Sequence, residues 1–285
     1  MTRPGPRSVT SRPGWRPPPG STDCHMHVFG PFEQYPLSAS RSYTPPVASI
    51  EMYHDVQTTL GLERAVVVQP SVYGPNNRIV LETLDAIGRE RARAVVVVPT
   101  EVTASQLRSM AERGACGVRF NMVFGNGPPL DALGELAQKL QPVNWHIELY
   151  CHSAQIIDLE PVIMRVGVPV VFDHMGGVLT TEGGEKSEAF AALVRLLKSG
   201  SWVKLSGYRS SRGYPYDDLT AMARALIAAA PTQCVWGTDW PHPGLGATER
   251  VPDDGQLLDL LGMWAPEASE RRAILVDNPA RLYGF

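Results

Sequence analysis

Two histidines separated by one residue, His25 and His27, are the first residues of the sequence whose types and spacing could do chemistry. They end an apolar run, residues 22–27, that we predict as the first β-strand. Because side chains alternate between the faces of a strand, both imidazoles point into one space. There they can share a divalent metal ion or form hydrogen bonds to a polar ligand. A second apolar run, residues 234–237, leads to Asp239, and we expect its carboxylate at the same place.

Other predicted strands also end in polar side chains. Tyr150 ends the fifth strand and His174 follows the sixth, while Arg119 and Arg209 lie at the ends of the fourth and seventh. A guanidinium group can bind a carboxylate through two parallel hydrogen bonds, so both arginines are candidate clamps for an anionic ligand. The alternative for Arg119 is an internal salt bridge, and the alternative for Arg209 is a solvated position on a loop.

Eight short apolar runs provide the strands that would position these groups. They alternate with amphipathic stretches, and several contain consecutive Val or Ile residues instead of alternating polar and apolar residues. Continuous apolar runs indicate strands covered on both faces, as in a parallel sheet flanked by helices. We predict a (β/α)₈ TIM barrel, in which reacting groups lie at the carboxyl ends of the strands. A doubly wound open sheet and a pair of small domains are the alternatives.

The predicted strands are residues 22–27, 65–69, 94–99, 116–120, 145–150, 168–173, 202–206 and 234–237. The predicted helices are residues 77–91, 104–113, 130–139, 189–198, 217–230 and 254–262. Pro99, Pro161 and Pro231 are expected at the ends of elements and not inside them. Residues 1–20 are rich in Pro, Gly and Arg and are predicted to be a disordered tail. The barrel is therefore expected as a single domain over residues 21–285.

Composition excludes several classes of function. The 285-residue chain is 44% hydrophobic and has a net charge of −3 without a basic tract, so we expect no nucleic-acid partner. No apolar run approaches the roughly 20 residues that cross a bilayer, so we expect no membrane association. The four cysteines are scattered without CxxC spacing, which favours free thiols in a cytoplasmic protein. The sequence leaves the oligomeric state open.

A series of motifs along the chain is similar to those of a known enzyme superfamily. They are Asp23-Cys24-His25-Met26-His27, Tyr43-Thr44-Pro45, Gly117-Val118-Arg119-Phe120-Asn121, Phe172-Asp173-His174-Met175-Gly176-Gly177, Val203-Lys204-Leu205-Ser206-Gly207 and Gly237-Thr238-Asp239-Trp240-Pro241-His242. Together they resemble the amidohydrolase superfamily, and within it the lactone hydrolases that include the 2-pyrone-4,6-dicarboxylate hydrolases. The resemblance runs from about residue 20 to the C-terminus.

The resemblance implies a hydrolase that opens an anionic, aromatic-derived lactone similar to 2-pyrone-4,6-dicarboxylate. Lactone hydrolysis needs an activated water, a stabiliser of the oxyanion and an acid for the leaving oxygen. We expect Asp239 to be the general base, helped by burial or by cationic neighbours, and then to protonate the leaving oxygen. His174 and Tyr150 are expected to polarise the lactone carbonyl. The predicted substrate-binding residues are His25, His27, Tyr43, Arg119 and Arg209.

The resemblance also bears on metal content. Two-metal members usually bridge their metals with a modified lysine at the end of the fourth strand, where this chain has Arg119. One-metal members commonly use a histidine at the end of the fifth strand, where this chain has Tyr150, with His152 two residues later. We therefore expect that no metal is required. The alternative is a single divalent ion such as Zn²⁺, held by His25, His27, His174 and Asp239.

One departure from the family pattern concerns the substrate. Pyrone-dicarboxylate hydrolases carry a further arginine shortly after the fourth strand, and residues 122–127 contain none. This points to a smaller or differently charged lactone. The alternative activities are a metal-dependent lactone hydrolase of the sulfomuconolactone type, a sugar-lactone isomerase and a metal-dependent decarboxylase. The last alternative is a barrel that binds a carboxylate without turning it over.

Overall fold

The structure, a computed structural model, describes residues 5–246 and 249–285. Eight parallel strands form one sheet in chain order, each paired with its neighbours in sequence. The (β/α)₈ prediction is therefore confirmed. The strands are β1 (Thr22–Met26), β2 (Arg64–Val68), β3 (Ala92–Val96), β4 (Ala115–Asn121), β5 (His146–Tyr150), β6 (Val170–Phe172), β7 (Trp202–Lys204) and β8 (Cys234–Val235).

The seam between β8 and β1 is closed by single backbone hydrogen bonds and not by a continuous ladder. The Asp239 N–H donates to the carbonyl of His25 at 2.8 Å, and the His27 N–H donates to the carbonyl of Trp240 at 2.8 Å. Gly237 permits this approach, because a Cβ there would lie 2.6 Å from the backbone nitrogen of His25. The seam therefore brings the first and last strands, and the polar residues at their ends, into direct contact.

Helices cover the outside of the sheet. They are α1 (Ile50–Leu60), α2 (Arg78–Ile87), α3 (Ala104–Arg113), α4 (Leu133–Leu140), α5 (Ser153–Ile163), α6 (Glu188–Lys198), α7 (Thr220–Ala229), α8 (Asp254–Trp264), α9 (Ala268–Arg272) and α10 (Asn278–Tyr283). Burial of Val66, Val67 and Val68 on both faces of β2 matches the expectation from the continuous apolar runs. Among the described residues, no helix is long and apolar enough to cross a membrane.

Helix α5 differs from the sequence prediction. Pro161 was expected at the end of an element, but it lies inside this helix. Proline lacks the backbone N–H that other helix residues donate. Because Pro161 lies near the C-terminal end of α5, only a short stretch of helix follows it. Because Ile156, Leu159 and Ile163 are buried, side-chain packing favours the helix here despite the proline.

The N-terminal segment also differs from the prediction of a disordered tail. Residues 5–20 lie against the barrel, whereas the first four residues of the predicted tail lie outside the described residues. The Ser11 N–H and hydroxyl both donate to Asp253, which caps the start of α8. The Trp15 indole N–H donates to the carbonyl of Leu258, and its ring packs over Gly262. These contacts give the segment partners that its composition did not indicate.

We predict that Trp15→Ala lowers the free energy of unfolding by about 1–2 kcal/mol, because a half-buried aromatic side chain and its hydrogen bond are lost. Urea unfolding, monitored by far-UV circular dichroism because the variant lacks a tryptophan, measures the change in the free energy of unfolding. Val9→Ala is the control, since the Val9 side chain is 71% exposed and little is lost. Equal stability of the two variants would support the disordered tail that the composition predicts.

Candidate active site

Three ligand atoms meet at the seam between β1 and β8. His25 Nε2 lies 3.2 Å from His27 Nε2 and 3.6 Å from Asp239 Oδ1, and His27 Nε2 lies 3.3 Å from the same oxygen. All three side chains are almost completely buried. The structure thus brings together the two histidines and the carboxylate as the sequence predicts. We call these three residues the ligand triangle.

The orientation of His27 is set by a backbone carbonyl. His27 Nδ1 lies 2.7 Å from the carbonyl oxygen of Val68, the last residue of β2. Because a carbonyl only accepts hydrogen bonds, the ring carries its proton on Nδ1 and presents a lone pair on Nε2. Burial is the main cause that lowers the pKa of His27, so the ring is neutral near pH 7. His27 therefore offers an acceptor or a metal ligand to the triangle.

His25 lies between a donor and an acceptor. Its Nδ1 is 3.1 Å from the Lys204 ammonium nitrogen and 3.2 Å from Asp173 Oδ1. If Lys204 donates to Nδ1, the imidazole carries its proton on Nε2 and can donate it to His27. If Nδ1 donates to Asp173, Nε2 instead presents a lone pair to the triangle. The two hydrogen-bond arrangements thus suit a metal-free site and a metal site, respectively.

The donor set fits one divalent ion. In tetrahedral zinc sites with bonds of about 2.0–2.1 Å, the ligand atoms lie roughly 3.3 Å apart, which is close to all three edges of the triangle. Asp239 Oδ1 is buried without a hydrogen bond from the described residues. A His–Asp173 contact behind a ligand histidine is also a common feature of metal sites. The ligand triangle could therefore hold a metal, and the expectation that none is required stays a prediction.

The second oxygen of Asp239 is fixed by two donors. Tyr208 donates its hydroxyl to Oδ2 at 2.7 Å, and the Arg209 Nε–H donates to the same oxygen at 2.6 Å. Burial by itself would raise the pKa of Asp239, but Arg209, His174 and the other histidines outweigh it and hold the pKa well below its usual range. Asp239 is therefore ionised near pH 7. The neighbouring groups thus outweigh burial in setting the pKa of Asp239.

His174 and Tyr150 face the space beside Asp239. Their rings lie 4.7 Å apart between centroids, edge to face. His174 Nδ1 is 2.9 Å from the hydroxyl of Ser206 and 3.3 Å from the Ser206 carbonyl oxygen. If the hydroxyl donates to Nδ1, the imidazole N–H is on Nε2. Burial is the first cause that lowers the pKa of His174, to about 4. Burial also raises the pKa of Tyr150, so both groups are neutral and can donate hydrogen bonds.

Backbone strain coincides with these groups. His174 and Asp239 both have positive φ, 49° and 62°, which side chains with a Cβ seldom adopt. Each such residue costs of order 1–3 kcal/mol and persists only where the surrounding structure fixes it. Strain that recurs at two of the predicted catalytic residues supports a functional role for this end of the barrel.

A cavity of about 410 Å³ opens next to the ligand triangle. Its wall includes His174, Tyr150 and Arg209, together with the apolar side chains of Val123 and Leu179. The aromatic ring of Phe124 lies 5.9 Å from that of Tyr150 and 5.2 Å from that of Tyr43. Tyr43, a predicted substrate-binding residue, is buried, and burial raises its pKa to about 12, while the charges of Arg119 and Arg209 act in the opposite direction. His152 precedes α5 as its N-cap and is exposed on the cavity wall, so it does not belong to the ligand triangle.

Arg119 differs from its predicted role as a substrate clamp. Its Nε and Nη2 donate to Asp173 Oδ2 at 3.3 and 3.0 Å, and Nη1 donates to the carbonyl of Gln69. This is the internal salt bridge that the sequence left as the alternative. The physical reason is the neighbouring strand β5, because its Glu148 adds a second buried carboxylate 3.6 Å from the guanidinium. Arg209 likewise pairs with Asp239 and is not solvated.

The sequence predicted no role for Lys204, Glu148 and Asp173. The Lys204 ammonium group binds Glu148 and lies 3.3 Å from Asp173, all three being buried below the ligand triangle. Burial and the neighbouring Asp173 raise the pKa of Glu148, and the cations of Lys204 and Arg119 oppose this rise. The sequence did carry one signal for this cluster, a charged residue within an otherwise apolar strand. A charge buried in this way requires a partner of opposite charge. We call these three residues with Arg119 the charge cluster.

The fold and the site define a (β/α)₈ enzyme with histidine, carboxylate and tyrosine groups at the carboxyl ends of its strands. The model of the family described as amidohydrolase matches residues 22–285. The chain belongs to this amidohydrolase family.

Two enzymes with named activities are among the similar proteins. The chain is 42% identical over 275 residues to a 4-sulfomuconolactone hydrolase of Hydrogenophaga intermedia, covering 94% of this chain and 89% of the relative. It is 34% identical to a 2-pyrone-4,6-dicarboxylate hydrolase of Comamonas testosteroni, covering 96% and 93%. A crystal structure of a probable 2-pyrone-4,6-dicarboxylic acid hydrolase from Acinetobacter baumannii, with citric acid bound, matches with a TM-score of 0.81 at 25% identity, covering 93% and 100%.

We predict that Lys204→Met lowers the free energy of unfolding by about 3–5 kcal/mol, because it leaves Glu148 and Asp173 without their buried cation. Combining it with Glu148→Gln should recover part of this loss, since the double variant removes one uncompensated charge. Chemical denaturation of the two single variants and the double variant measures the coupling. Additive losses in the double variant would contradict a direct ion pair between Lys204 and Glu148.

Proposed function

We propose that this protein is a lactone hydrolase whose substrate carries two anionic groups. The observation that carries the proposal is the ligand triangle: an ionised Asp239 carboxylate meets two neutral histidines beside a cavity of about 410 Å³. The names of the relatives support the reaction class. The 42% identity to a sulfomuconolactone hydrolase favours that type of substrate over pyrone dicarboxylate. The missing second arginine after β4 and the internal pairing of Arg119 favour the same choice.

Asp239 is the proposed base and proton carrier. Its Oδ1 is buried and faces the two histidines, while Tyr208 and Arg209 hold Oδ2. The carboxylate takes a proton from the water as the water attacks the lactone carbonyl. The same proton then passes to the ring oxygen when the carbon–oxygen bond breaks, which yields a hydroxyl or its keto tautomer and a carboxylic acid that ionises by releasing its proton to water.

His174 and Tyr150 are the proposed stabilisers of the oxyanion. A carboxylate with a depressed pKa is a weak base, so the barrier must fall mainly through stabilisation of the charge that develops on the carbonyl oxygen. The His174 Nε2–H and the Tyr150 hydroxyl are neutral donors on the cavity wall and meet that requirement. Arg209 would help by attracting an anionic substrate, although its Nε–H is already committed to Asp239.

A single divalent ion is the proposed companion of these groups. His25, His27 and Asp239 would hold it, because the spacing of their ligand atoms matches a tetrahedral site. Such an ion would supply a Lewis acid and lower the pKa of a bound water. The metal-free mechanism is the competing proposal, in which Lys204 donates to His25 and the donors of the cavity wall act alone. We also propose that the enzyme is cytoplasmic, which its free cysteines support. The similarity to a 2-pyrone-4,6-dicarboxylate hydrolase supports a further proposal, a role in the breakdown of aromatic compounds.

We predict that Asp239→Asn lowers kcat for 4-sulfomuconolactone by about 10²- to 10⁴-fold, because the amide cannot accept the proton of the attacking water. Binding of the unreacted lactone, followed by calorimetry, should remain within about threefold of the wild type, since the amide keeps the shape of the side chain. Asp158→Asn on the exposed face of α5 is the matched control. Full activity of Asp239→Asn would contradict the proposed base.

We predict that the purified protein carries about one divalent ion per chain and loses lactonase activity when a chelator removes it. Elemental analysis and turnover before and after chelation, with zinc restored at the end, measure both effects. His27→Ala should lower the metal content, because it removes one ligand of the triangle. Metal-free protein with turnover that resists chelation would instead support the competing metal-free mechanism.

A further inference from the structure

We propose that Arg250, held on the ring of Tyr214, binds the second anionic substituent of the lactone, a carboxylate or a sulfonate. The inference rests on the proposed function and names the group that selects a dianionic substrate. It concerns a second cavity, next to the one that holds the reacting groups, and a cation that the proposed mechanism does not use.

The second cavity shares two wall residues with the first. It has a volume of about 400 Å³, and Tyr150 and Arg209 belong to the walls of both cavities. A lactone ring next to His174 and Tyr150 would therefore extend its substituents towards this space. The rest of the wall is rich in hydroxyl and guanidinium groups, from Tyr208, Ser211, Arg212, Tyr214, Tyr216 and Arg250.

The charges on this wall favour an anion. Three arginines line the cavity against one acid, Glu249, whose carboxylate accepts the backbone N–H of Gly246. Arg209 is already paired with Asp239, and Arg212 lies 3.4 Å from Asp218.

Arg250 is different from these two arginines. Within residues 5–246 and 249–285, no carboxylate forms a salt bridge with its guanidinium group. The cavity thus contains a cation whose charge the described part of the protein does not balance.

Tyr214 gives this cation a fixed position. The guanidinium carbon of Arg250 lies 3.6 Å from the centre of the Tyr214 ring, a stacked cation–π contact. Stacking uses the face of the guanidinium group and leaves the N–H groups on its edge for an acceptor. Because a guanidinium group binds carboxylate and similar oxyanions through two parallel hydrogen bonds, a stacked arginine is well prepared for such a ligand. The ring itself is half exposed, so the pair remains accessible to solvent.

The position of Arg119 explains why a second anion site is needed. Its guanidinium group is used within the charge cluster, and residues 122–127 supply no other cation. A substrate with two anionic groups therefore finds Arg209 beside the reacting centre and Arg250 in the adjoining cavity. A lactone without the second group gains nothing from Arg250, so this contact discriminates between the two substrates.

The test compares two lactones that differ only in the second anionic group: 4-sulfomuconolactone and its counterpart with hydrogen in place of the sulfonate. Arg250→Gln should lower kcat/KM for the sulfonated lactone by about five- to tenfold, mainly through KM, because an exposed charge-assisted pair is lost. For the counterpart, kcat/KM should stay within about twofold. Tyr214→Leu should shift the same ratio in the same direction, because it removes the support of the guanidinium group.

Arg165→Gln is the matched control, since Arg165 is exposed between α5 and β6 at the opposite end of the barrel. It makes the same change of charge and should leave both substrates unaffected. An equal loss with both lactones, or no loss with either, would overturn the role of Arg250 while leaving the lactonase intact. No turnover of either lactone by the unmodified enzyme would overturn the proposed function and the inference together.

Discussion

The arrangement of the site depends on one buried interaction, the contact of the Lys204 ammonium group with Glu148 and Asp173. Removing charged groups from water costs free energy. The buried carboxylates of Glu148 and Asp173 therefore need the Lys204 ammonium group beside them. Because Asp173 and Lys204 also contact His25 Nδ1, the same cluster fixes the ring of the first histidine. The reacting groups above it therefore start from positions that packing and charge determine together, without reorganisation when a substrate arrives.

Asp239 lies at the seam between β8 and β1, and its neighbours set its charge and its strength as a base. Its backbone is strained and its carboxylate is buried, yet two donors to Oδ2, the Tyr208 hydroxyl and the Arg209 Nε–H, keep it ionised. The neighbours that stabilise the anion also weaken it as a base. The site therefore favours a reaction in which charge on the substrate is stabilised by many donors, and in which a modest base suffices because the attacked carbonyl is already activated, as in a lactone.

Sequence patterns predicted the features that depend on local periodicity. Consecutive valines indicated strands buried on both faces, and the spacing of His25 and His27 placed both rings in one space. The sequence left an internal salt bridge of Arg119 as an alternative but could not identify its partners. They depend on the register that brings β4 beside Glu148 and on the position of Asp173 after β6. The contacts of the N-terminal segment could not be predicted for a similar reason, since its partners lie more than 240 residues away in the chain. Composition describes a segment alone and not the surface that receives it.

The seam between β8 and β1 has a consequence for when the enzyme becomes active. Isolated backbone hydrogen bonds and the side-chain contact of Asp23 with Thr238 join the two ends at this seam. The ligand triangle also bridges it, from His25 near the start of the chain to Asp239 near its end. A ligand bound there acts as a non-covalent crosslink between the two ends, and its binding energy adds to the stability of the closed barrel. During synthesis the site cannot exist until the last strand has joined the first. Ligand affinity in this protein therefore reports that folding is complete.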